Sequence, residues 1–320
     1  MSESATDNEI QTTELPLSHF NGRSVALALG SGGARGLAHI GVIRVLEEAG
    51  ANITAISGSS MGAVIGGMYA AGQLDAYQAW VEELERADVL SLVDWTLSGG
   101  LIRGKKIIHK LAELAGEVNI EDLDIEFTAV AVDIDQGREV WLDNGSLYDA
   151  IRASTAIPGL FTPHRYRGRT LVDGGLLNPI PISPTLRSMC DLTIAVNVNA
   201  GEPYAQALTK ERKAHDEDDS PRLMDRIREL MDNFSKDKTQ PEDTQPGLIA
   251  VLVQSLDTVE AAITRHNLAA FEPDLLISIP KTVCQAHEFY RAKEVRLVGE
   301  AAAREALKNF RPRHNHWRDR

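Results

Sequence analysis

The sequence is poor in cysteine and in positive charge, and each shortage excludes a class of protein. Its 320 residues include two cysteines, Cys190 and Cys284, and no C-x-x-C pair. A disulfide framework and a structural zinc site are therefore not expected, which favours a reducing, cytoplasmic environment. The 46 acidic residues outnumber the 33 basic ones, for a formal net charge of −13. A nucleic-acid partner, which would require a basic face, is not expected either.

A long, uniformly apolar run is also missing. Residues 1–20, MSESATDNEIQTTELPLSHF, are polar and acidic, so we interpret them as part of a disordered tail and not as a secretory signal. The stretch 49–74 contains no charged residue, but its serines and many glycines disfavour insertion into a membrane. A buried strand, a sharp turn and a buried helix account for that stretch better.

Strands and helices alternate along the first part of the chain. Strands are predicted at Ser24–Leu29 and Ile53–Ser57, and helices are predicted from Leu37 to Gly50 and from Met61 to Ala71. This order is typical of a parallel sheet with right-handed crossovers. We therefore predict an α/β fold with a central, mostly parallel sheet between helices.

Further elements are predicted along the rest of the chain. A surface helix at Ala76–Ala87 precedes a loop at Trp95–Arg103, which carries the apolar residues Trp95, Leu97, Leu101 and Ile102. We expect this loop to be mobile and to border the substrate entrance, with ordinary packing beneath a surface loop as the alternative. The other predicted helices and strands are, in chain order, Lys105–Ala115, Phe127–Asp133, Glu139–Leu142, Leu147–Ser154, Thr170–Asp173, Leu192–Val198, Pro246–His266, Leu275–Ile279 and Phe289–Asn309.

The region 202–245 is the most polar part of the sequence. It contains an amphipathic stripe, which consists of Leu223, Ile227, Leu230, Met231 and Phe234. We expect this stripe to dock on the core, with a surface that faces lipid or a partner as the alternative.

A candidate nucleophile lies at a predicted strand-to-helix junction, where the residues from Gly58 to Gly62 fit the pattern G-x-S-x-G around Ser60. This context is typical of a nucleophile elbow, a strained turn that exposes the serine above the sheet. Side chains at positions 58 and 62 would collide in such a turn, so both positions require glycine. The helix N-terminus would stabilise negative charge near the serine oxygen. A plain turn with an N-cap serine is the alternative interpretation.

A glycine-rich loop, Gly30–Gly36 (GSGGARG), follows the first predicted strand. Such a loop binds anions through its backbone N–H groups, either as a dinucleotide site or as an oxyanion hole. The dinucleotide pattern G-x-G-x-x-G fails because its last glycine would fall at Arg35, and the second strand ends without an acidic residue. The loops that follow neighbouring parallel strands meet at one sheet edge, so this loop and Ser60 are expected to share a crevice. A structural tight turn is the alternative.

A candidate base ends another short strand, at Asp173-Gly174-Gly175. An aspartate in that position could take the Ser60 proton as a general base. The alternative is an ordinary Asp-Gly turn. A conventional triad would need a histidine later in the chain, but none of the candidates follows a predicted strand: His215, His266, His287, His314 and His316.

These elements, in this order, resemble the patatin-like phospholipase family over about residues 23–309. The similarity is strongest to bacterial members that resemble the catalytic domain of neuropathy target esterase. The matching stretches are GSGGARGLAHIGVIRVLEEAG, ITAISGSSMGAVIGGMYAAG, DAIRASTAIPGLFTPHRYRGRTLVDGGLLNPIP and DLTIAVNVN. One position departs from the family pattern, because Ser31 occupies a place where glycine is usual.

The resemblance implies a site without histidine. Ser60 and Asp173 would form a catalytic dyad, and the glycine-rich loop would supply the oxyanion hole through Gly32, Gly33, Ala34 and Arg35. Gly58 and Gly62 would form the nucleophile elbow, and Gly174 and Gly175 would complete the acid motif. Activity is then expected to fall only as Asp173 protonates at low pH, without the step near pH 6.5 that a histidine gives.

The resemblance also implies a function and a domain organisation. A single patatin-like domain would span residues 22–310, between a disordered tail at 1–21 and a basic tail at 311–320. The protein would be a serine acyl hydrolase that cleaves phospholipids, lysophospholipids or other lipid esters, with no metal and no cofactor. The alternative is a regulatory or scaffolding protein that keeps the fold without catalysis. A further hypothesis is that the basic tail, which carries Trp317, contacts an anionic lipid surface. The protein would then be peripheral to a membrane.

Overall fold

The structure is a computed structural model that describes residue 20 and residues 22–94, 102–201 and 248–310. Several of the predictions above lie outside these residues. They concern the tails at 1–19 and 311–320, the apolar residues Trp95, Leu97 and Leu101, and the amphipathic stripe at 223–234. Phe20 lies within the tail that was predicted to be disordered, but it is buried and stacks on Phe310 with ring centroids 5.9 Å apart. The boundaries of the domain stay a prediction.

The described residues form an alternating series of strands and helices. The strands are β1 (Ser24–Leu29), β2 (Asn52–Ser59), β3 (Glu126–Asp133), β4 (Arg138–Leu142), β5 (His164–Tyr166), β6 (Arg169–Asp173), β7 (Leu192–Ala200) and β8 (Leu275–Pro280). The helices are α1 (Ala38–Glu48), α2 (Met61–Ala70), α3 (Leu74–Glu82), α4 (Arg86–Ser91), α5 (Lys105–Ala115), α6 (Leu147–Ser154), α7 (Ile182–Thr185), α8 (Leu248–Ala270) and α9 (Ala292–Asn309). Short 3-10 turns lie at Gly33–Leu37, Ile120–Asp122, Gly174–Leu176, Lys281–Val283 and Phe289–Arg291.

The strands form one eight-stranded sheet in the order β5-β6-β3-β2-β1-β7-β8, with β4 paired to β3 off this path. The pairs between β3, β2, β1, β7 and β8 are parallel, whereas β4, β5 and β6 pair antiparallel. The central strands are apolar almost throughout because helices cover both faces of a parallel sheet. The predicted fold, an α/β domain with a mostly parallel central sheet flanked by helices, is confirmed.

The strand register brings the candidate motifs to one edge of the sheet. In the β1–β2 pair, Leu29 lies opposite Gly58, and in the β1–β7 pair Leu29 also lies opposite Val196. The glycine-rich loop follows Leu29 at the end of β1, and the Ser60 turn follows Gly58 near the end of β2. Both loops therefore leave the sheet side by side at its carboxyl edge.

The helices pack in layers on the sheet. Helices α1 and α9 pack together, while α2 and α6 pack on β2 and β3. The stretch 49–74, which lacks charge, is divided between β2, a turn and α2, as the sequence predicted. Among the residues that the structure describes, no helix has both the length and the apolarity that crossing a bilayer requires.

Three local predictions were wrong or incomplete. The helix predicted at Ala76–Ala87 is divided into α3 and α4, because Glu85 starts a new helix through a capping box with Asp88. Ile102, which was predicted to lie in a mobile loop, is buried, and its backbone pairs with Leu160 and Thr162, in agreement with the alternative of ordinary packing at this residue. Strand β5 was not predicted; a turn of two residues, 167 and 168, both with positive φ, folds it against β6.

Candidate active site

Ser60 occupies a strained turn between β2 and α2. Its backbone angles are φ 53° and ψ −120°, an unfavourable region for a residue with a side chain. A Cβ atom on Gly58 would lie 2.4 Å from the Gly62 backbone, and one on Gly62 would lie 2.1 Å from the Leu29 carbonyl oxygen. The turn therefore has room only for glycine on both sides of Ser60. This geometry matches the nucleophile elbow that the sequence pattern predicts.

The strained peptide is held by a side chain from α6. The Ser60 backbone N–H donates to Ser154 Oγ at 2.9 Å, and the Ser154 hydroxyl donates to the Val130 carbonyl at 2.6 Å. Ser154 and Ser60 are both buried. Ser154 thus connects the elbow to β3 and fixes the orientation of the Ser60 peptide.

The glycine-rich loop continues from β1 into a 3-10 turn that begins at Gly33. Gly33 has φ +55°, and a Cβ atom there would lie 2.5 Å from the Ala286 carbonyl oxygen, so this position requires glycine. The Ala34 N–H donates to that same carbonyl, and the Arg35 N–H donates to Gly32 O. Within the described part of the chain, the N–H groups of Gly32 and Gly33 have no such acceptor. Of the predicted oxyanion donors, these two remain free for a ligand.

The loop contacts the elbow directly. A Cβ atom on Gly36 would lie 2.6 Å from the Met61 side chain, which directly follows Ser60. The buried Arg35 side chain donates from Nε to the Gly32 carbonyl at 3.1 Å, which fixes the orientation of that peptide. Arg35 also forms an ion pair of 3.5 Å with Asp257 of α8. The structure thus brings the glycine-rich loop and Ser60 together.

Asp173 lies at the end of β6, opposite Ala131 of β3. Its carboxylate is buried, and Oδ1 accepts the Gly175 N–H at 2.7 Å. Oδ2 makes no hydrogen bond of standard geometry with any described residue. The Ser60 hydroxyl nevertheless lies near enough to this carboxylate to stabilise its charged form. A loose contact of this kind is common before substrate binds.

Burial dominates the electrostatics of Asp173. Its pKa is raised to about 7, chiefly by desolvation and to a smaller extent by the like charge of the neighbouring Glu260. The nearby Ser60 hydroxyl and the hydrogen bond from the Gly175 N–H act in the opposite direction, because both stabilise the charged form. A carboxylate with a pKa near neutrality is a much stronger base than one in water.

The acid motif packs tightly on the elbow. A Cβ atom on Gly174 would lie 2.1 Å from the Val130 carbonyl oxygen and 3.1 Å from Ser59 Oγ. The Ser59 hydroxyl donates at 2.6 Å to the carbonyl of Asn178, just after the motif. The predicted elements therefore meet in one place: the Ser60 elbow, the glycine-rich loop and the Asp173 motif.

The histidines that the structure describes form no hydrogen bond with Ser60 or Asp173. His39 is fully buried and contacts the Gly30 carbonyl through Nε2 at 2.8 Å, and burial lowers its pKa to about 4. His164 forms a hydrogen bond with Asp149, and His109 Nε2 lies 3.2 Å from a carboxylate oxygen of Glu113. The described residues contain no cluster of potential metal ligands either.

Helix α8 passes over the site. Its Glu260 accepts a hydrogen bond of 2.7 Å from the Ser31 hydroxyl, and its Asp257 pairs with Arg35. Beside it lies an apolar cavity of about 220 Å³, which is lined by Pro158, Gly159, Ser255, Leu256 and Val259. The cavity lies near Asp173, since the Ala156 carbonyl, two residues before Pro158, accepts the Asp173 N–H.

Sequence reasoning missed two residues of the site, Ser154 and Glu260. Ser154 was predicted only as the last residue of a helix, and Glu260 lies in a predicted helix far along the chain. Neither residue belongs to a short motif, so the sequence carried no signal for them. The departure at Ser31 was the one available clue, since this hydroxyl is the donor to Glu260.

A serine in a strained strand-to-helix turn, beside a buried aspartate and a loop with free N–H groups, is the arrangement of an α/β serine hydrolase. The family model for patatin-like phospholipase matches residues 27–186. The chain belongs to the patatin-like phospholipase family, a family of lipid hydrolases.

Relatives with similar sequences extend the match beyond that segment. The chain is 40% identical to an uncharacterized NTE family protein of Mycobacterium tuberculosis, over 89% of this chain and 92% of that protein. It is 26% identical to a lysophospholipase NTE1 of Eremothecium gossypii, over 80% of this chain but only 17% of that much longer protein. Among solved structures, VipD from Legionella pneumophila matches with a TM-score of 0.42 and 14% identity, over 90% of this chain and 67% of that chain.

Proposed function

We propose that this protein hydrolyses acyl ester bonds of phospholipids or lysophospholipids, with Ser60 as nucleophile and Asp173 as general base. The observation that carries this proposal is the pairing of a strained, buried serine with a buried carboxylate whose Oδ2 has no standard hydrogen bond within the described chain. Such a carboxylate is available to accept the serine proton. The membership in a lipid hydrolase family and the lysophospholipase named among its relatives support the choice of substrate class.

In the first step, Asp173 takes the proton of the Ser60 hydroxyl as Ser60 Oγ attacks the acyl carbonyl carbon. The carbonyl electron pair moves onto oxygen, and the N–H groups of Gly32 and Gly33 stabilise the resulting oxyanion. The bond to the alcohol then breaks, and the proton on Asp173 passes to the leaving oxygen. The products are the free alcohol of the lipid and an acyl ester on Ser60.

In the second step, a water molecule replaces the alcohol. Asp173 takes a proton from this water as the water oxygen attacks the acyl carbon, and the oxyanion forms again at the same donors. The bond between the carbon and Ser60 Oγ breaks, and Ser60 recovers its proton from Asp173. The fatty acid leaves, and the site returns to its starting state without a metal or a cofactor.

The apolar cavity beside α8 is suited to the acyl chain of the substrate. Its lining residues Leu256 and Val259 lie on the helix that carries Glu260, and Pro158 lies just beyond the Ala156 carbonyl that Asp173 contacts. Transfer of an alkyl chain from water into this cavity would be favourable by about 0.8 kcal/mol for each buried methylene group. Binding of the chain would hold the ester carbonyl beside Ser60.

A fluorophosphonate probe tests the proposal most directly, because it reacts only with an activated serine. We expect the probe to label the wild-type protein at Ser60, which peptide mass spectrometry identifies, and we expect no labelling of Ser60→Ala. The wild type should also release fatty acid from a lysophospholipid or a diacyl phospholipid, whereas Ser60→Ala should not. A folded wild type that is neither labelled nor active would favour the alternative, a regulatory or scaffolding protein that retains the fold.

A further inference from the structure

Glu260 on α8 is a carboxylate next to the dyad that the reaction above does not use. It is partly buried, and its nearest groups come from the glycine-rich loop and the acid motif. Its Oε2 accepts the Ser31 hydroxyl at 2.7 Å. A Cβ atom on Gly175 would lie 2.6 Å from Oε1 and 3.0 Å from Ser31 Oγ. The Glu260 carboxylate thus touches the two loops that enclose the reacting atoms.

The backbone of Ser31 is held by other parts of the chain, and its hydroxyl contacts α8. Its backbone N–H donates to the Pro179 carbonyl at 2.8 Å, and its carbonyl accepts from the Asn199 side chain at 2.9 Å. Ser31 is buried, so its backbone is a fixed anchor for the helix. One turn earlier on α8, the Asp257–Arg35 ion pair is a weaker second attachment, because Asp257 is half-exposed.

We propose that Glu260 is a positioning residue for the acyl-transfer site: through its hydrogen bond to Ser31 it fixes α8 across the glycine-rich loop and against the acid motif. The role in catalysis rests on the proposed function, because it assumes that Ser60 and Asp173 are the reacting groups. The fixed helix keeps the apolar cavity closed on one side and excludes water from Asp173. Exclusion of water strengthens every electrostatic interaction within the site.

The charge of Glu260 has a second effect, which acts on Asp173. Glu260 is the like charge that raises the pKa of Asp173, in addition to burial. The charged and polar groups that face the two carboxylates are Ser60 and the Gly175 N–H at Asp173, and Ser31, Arg35 and Asp257 at Glu260. Burial and Asp257 raise the pKa of Glu260, while Ser31 and Arg35 lower it. Glu260 therefore tunes the base as well as positioning the helix above it.

Two conservative variants separate these effects. Glu260→Gln removes the charge but keeps an oxygen that can accept the Ser31 hydrogen bond. Ser31→Ala removes the hydrogen bond but keeps the charge. We expect Glu260→Gln to move the acidic limb of the kcat/KM profile to lower pH, so that the ratio of kcat/KM at pH 5.5 to that at pH 8 rises about threefold or more. Its kcat on the plateau should fall, because the base is weaker.

Ser31→Ala should leave the acidic limb near its wild-type position and raise KM for long-chain esters. Amide hydrogen exchange in α8 should become faster by roughly tenfold or more, since the helix loses a hydrogen bond to a charged acceptor. Glu260→Ala should show both changes. Glu83→Gln removes an exposed carboxylate from the end of α3 and is the matched charge control, with a wild-type profile and wild-type exchange.

The readouts distinguish failure of this inference from failure of the proposed function. If the wild type neither hydrolyses esters nor reacts with a fluorophosphonate, the dyad is wrong, but exchange in α8 still tests the Ser31–Glu260 contact. Wild-type exchange in Ser31→Ala, together with a wild-type pH profile in Glu260→Gln, would overturn the inference. Circular dichroism and thermal unfolding of each variant establish that it is folded.

Discussion

The backbone N–H of Ser60 donates a 2.9 Å hydrogen bond to Oγ of Ser154, on a helix 94 residues further along the chain. The same Ser154 hydroxyl donates to the Val130 carbonyl, so one side chain satisfies two buried backbone groups. Ser60 is in a strained conformation, which persists only where its surroundings fix it. The conformation of Ser60 therefore depends on α6 as well as on its own turn.

The first prediction follows from that contact. Ser154→Ala leaves the buried Ser60 N–H without an acceptor, which should lower the free energy of unfolding by about 1–3 kcal/mol. The turn should also lose its fixed orientation, and ester turnover should fall by roughly tenfold. Urea unfolding and initial rates measure the two effects. Thr258→Ala is the control, since this exposed hydroxyl donates only to the Gln254 carbonyl of its own helix. Unchanged turnover in Ser154→Ala would contradict the prediction.

The second prediction concerns the glycines on either side of Ser60. Gly58→Ala and Gly62→Ala each place a methyl group within 2.4 Å of backbone atoms that cannot move aside. We expect either change to cost about 3 kcal/mol or more and to abolish turnover. Gly72→Ala is the contrast: it has φ +69° but open space around it, so it should cost only about 1–2 kcal/mol. Thermal unfolding with parallel rate measurements tests both expectations.

The elements around β1, β2 and α2 could be predicted from the sequence because local pattern and tertiary structure agree there. A buried strand, a glycine-rich turn and a helix of small residues each have a period and a composition that allow few alternatives. Strand β5 could not be predicted in the same way. It spans only His164–Tyr166, and such a short strand carries no periodicity.

The candidate site could be predicted only where its residues lie in short motifs. Ser60, the glycine-rich loop and Asp173 each lie next to glycines whose spacing has a physical reason. Ser154 and Glu260 act through contacts that join residues 94 and 229 positions apart. A single sequence contains no information about such pairs, because nothing in the local pattern of a helix marks which residue will face another loop.

The third prediction tests the acyl-chain cavity. Val259→Asp introduces a charge into the cavity wall, so it should reduce kcat/KM for p-nitrophenyl palmitate by roughly tenfold or more and barely affect p-nitrophenyl butyrate. Val259 is exposed, so the protein should remain folded. Val251→Asp is the matched control, an exposed valine on the same helix that does not line the cavity. Equal losses on both esters, or an equal effect of Val251→Asp, would exclude this cavity as the acyl site.

The fourth prediction links Asp173 to stability. Its folded-state pKa of about 7 is above the ordinary value of 3.8, so between these two values the folded protein binds more protons than the unfolded chain. The contribution of Asp173 to stability is therefore favourable below that window and is lost as the pH rises through it. At pH 8, Asp173→Asn should be more stable than the wild type by ~4 kcal/mol, since each tenfold difference in proton affinity is worth about 1.4 kcal/mol. At pH 4 the two should be nearly equal. Urea unfolding at both pH values measures the difference.

The last prediction concerns the dyad itself. Asp173→Asn keeps the shape of the side chain but cannot accept a proton, so the folded variant should hydrolyse esters at less than about one hundredth of the wild-type rate. The sequence alone led us to expect an acidic limb at low pH, but a pKa of about 7 moves that limb to neutral pH. A catalytic histidine would titrate in the same range, so the position of the limb does not separate a dyad from a triad.

Substitution of the histidines does separate a dyad from a triad. His266→Ala and His287→Ala, which change the two described histidines with neither a hydrogen bond nor an ion pair, should keep wild-type rates and the same limb. His215, His314 and His316, which lie outside the described residues, should be replaceable in the same way. Near wild-type turnover in Asp173→Asn, or loss of turnover in any one of these histidine variants, would replace the dyad with a triad.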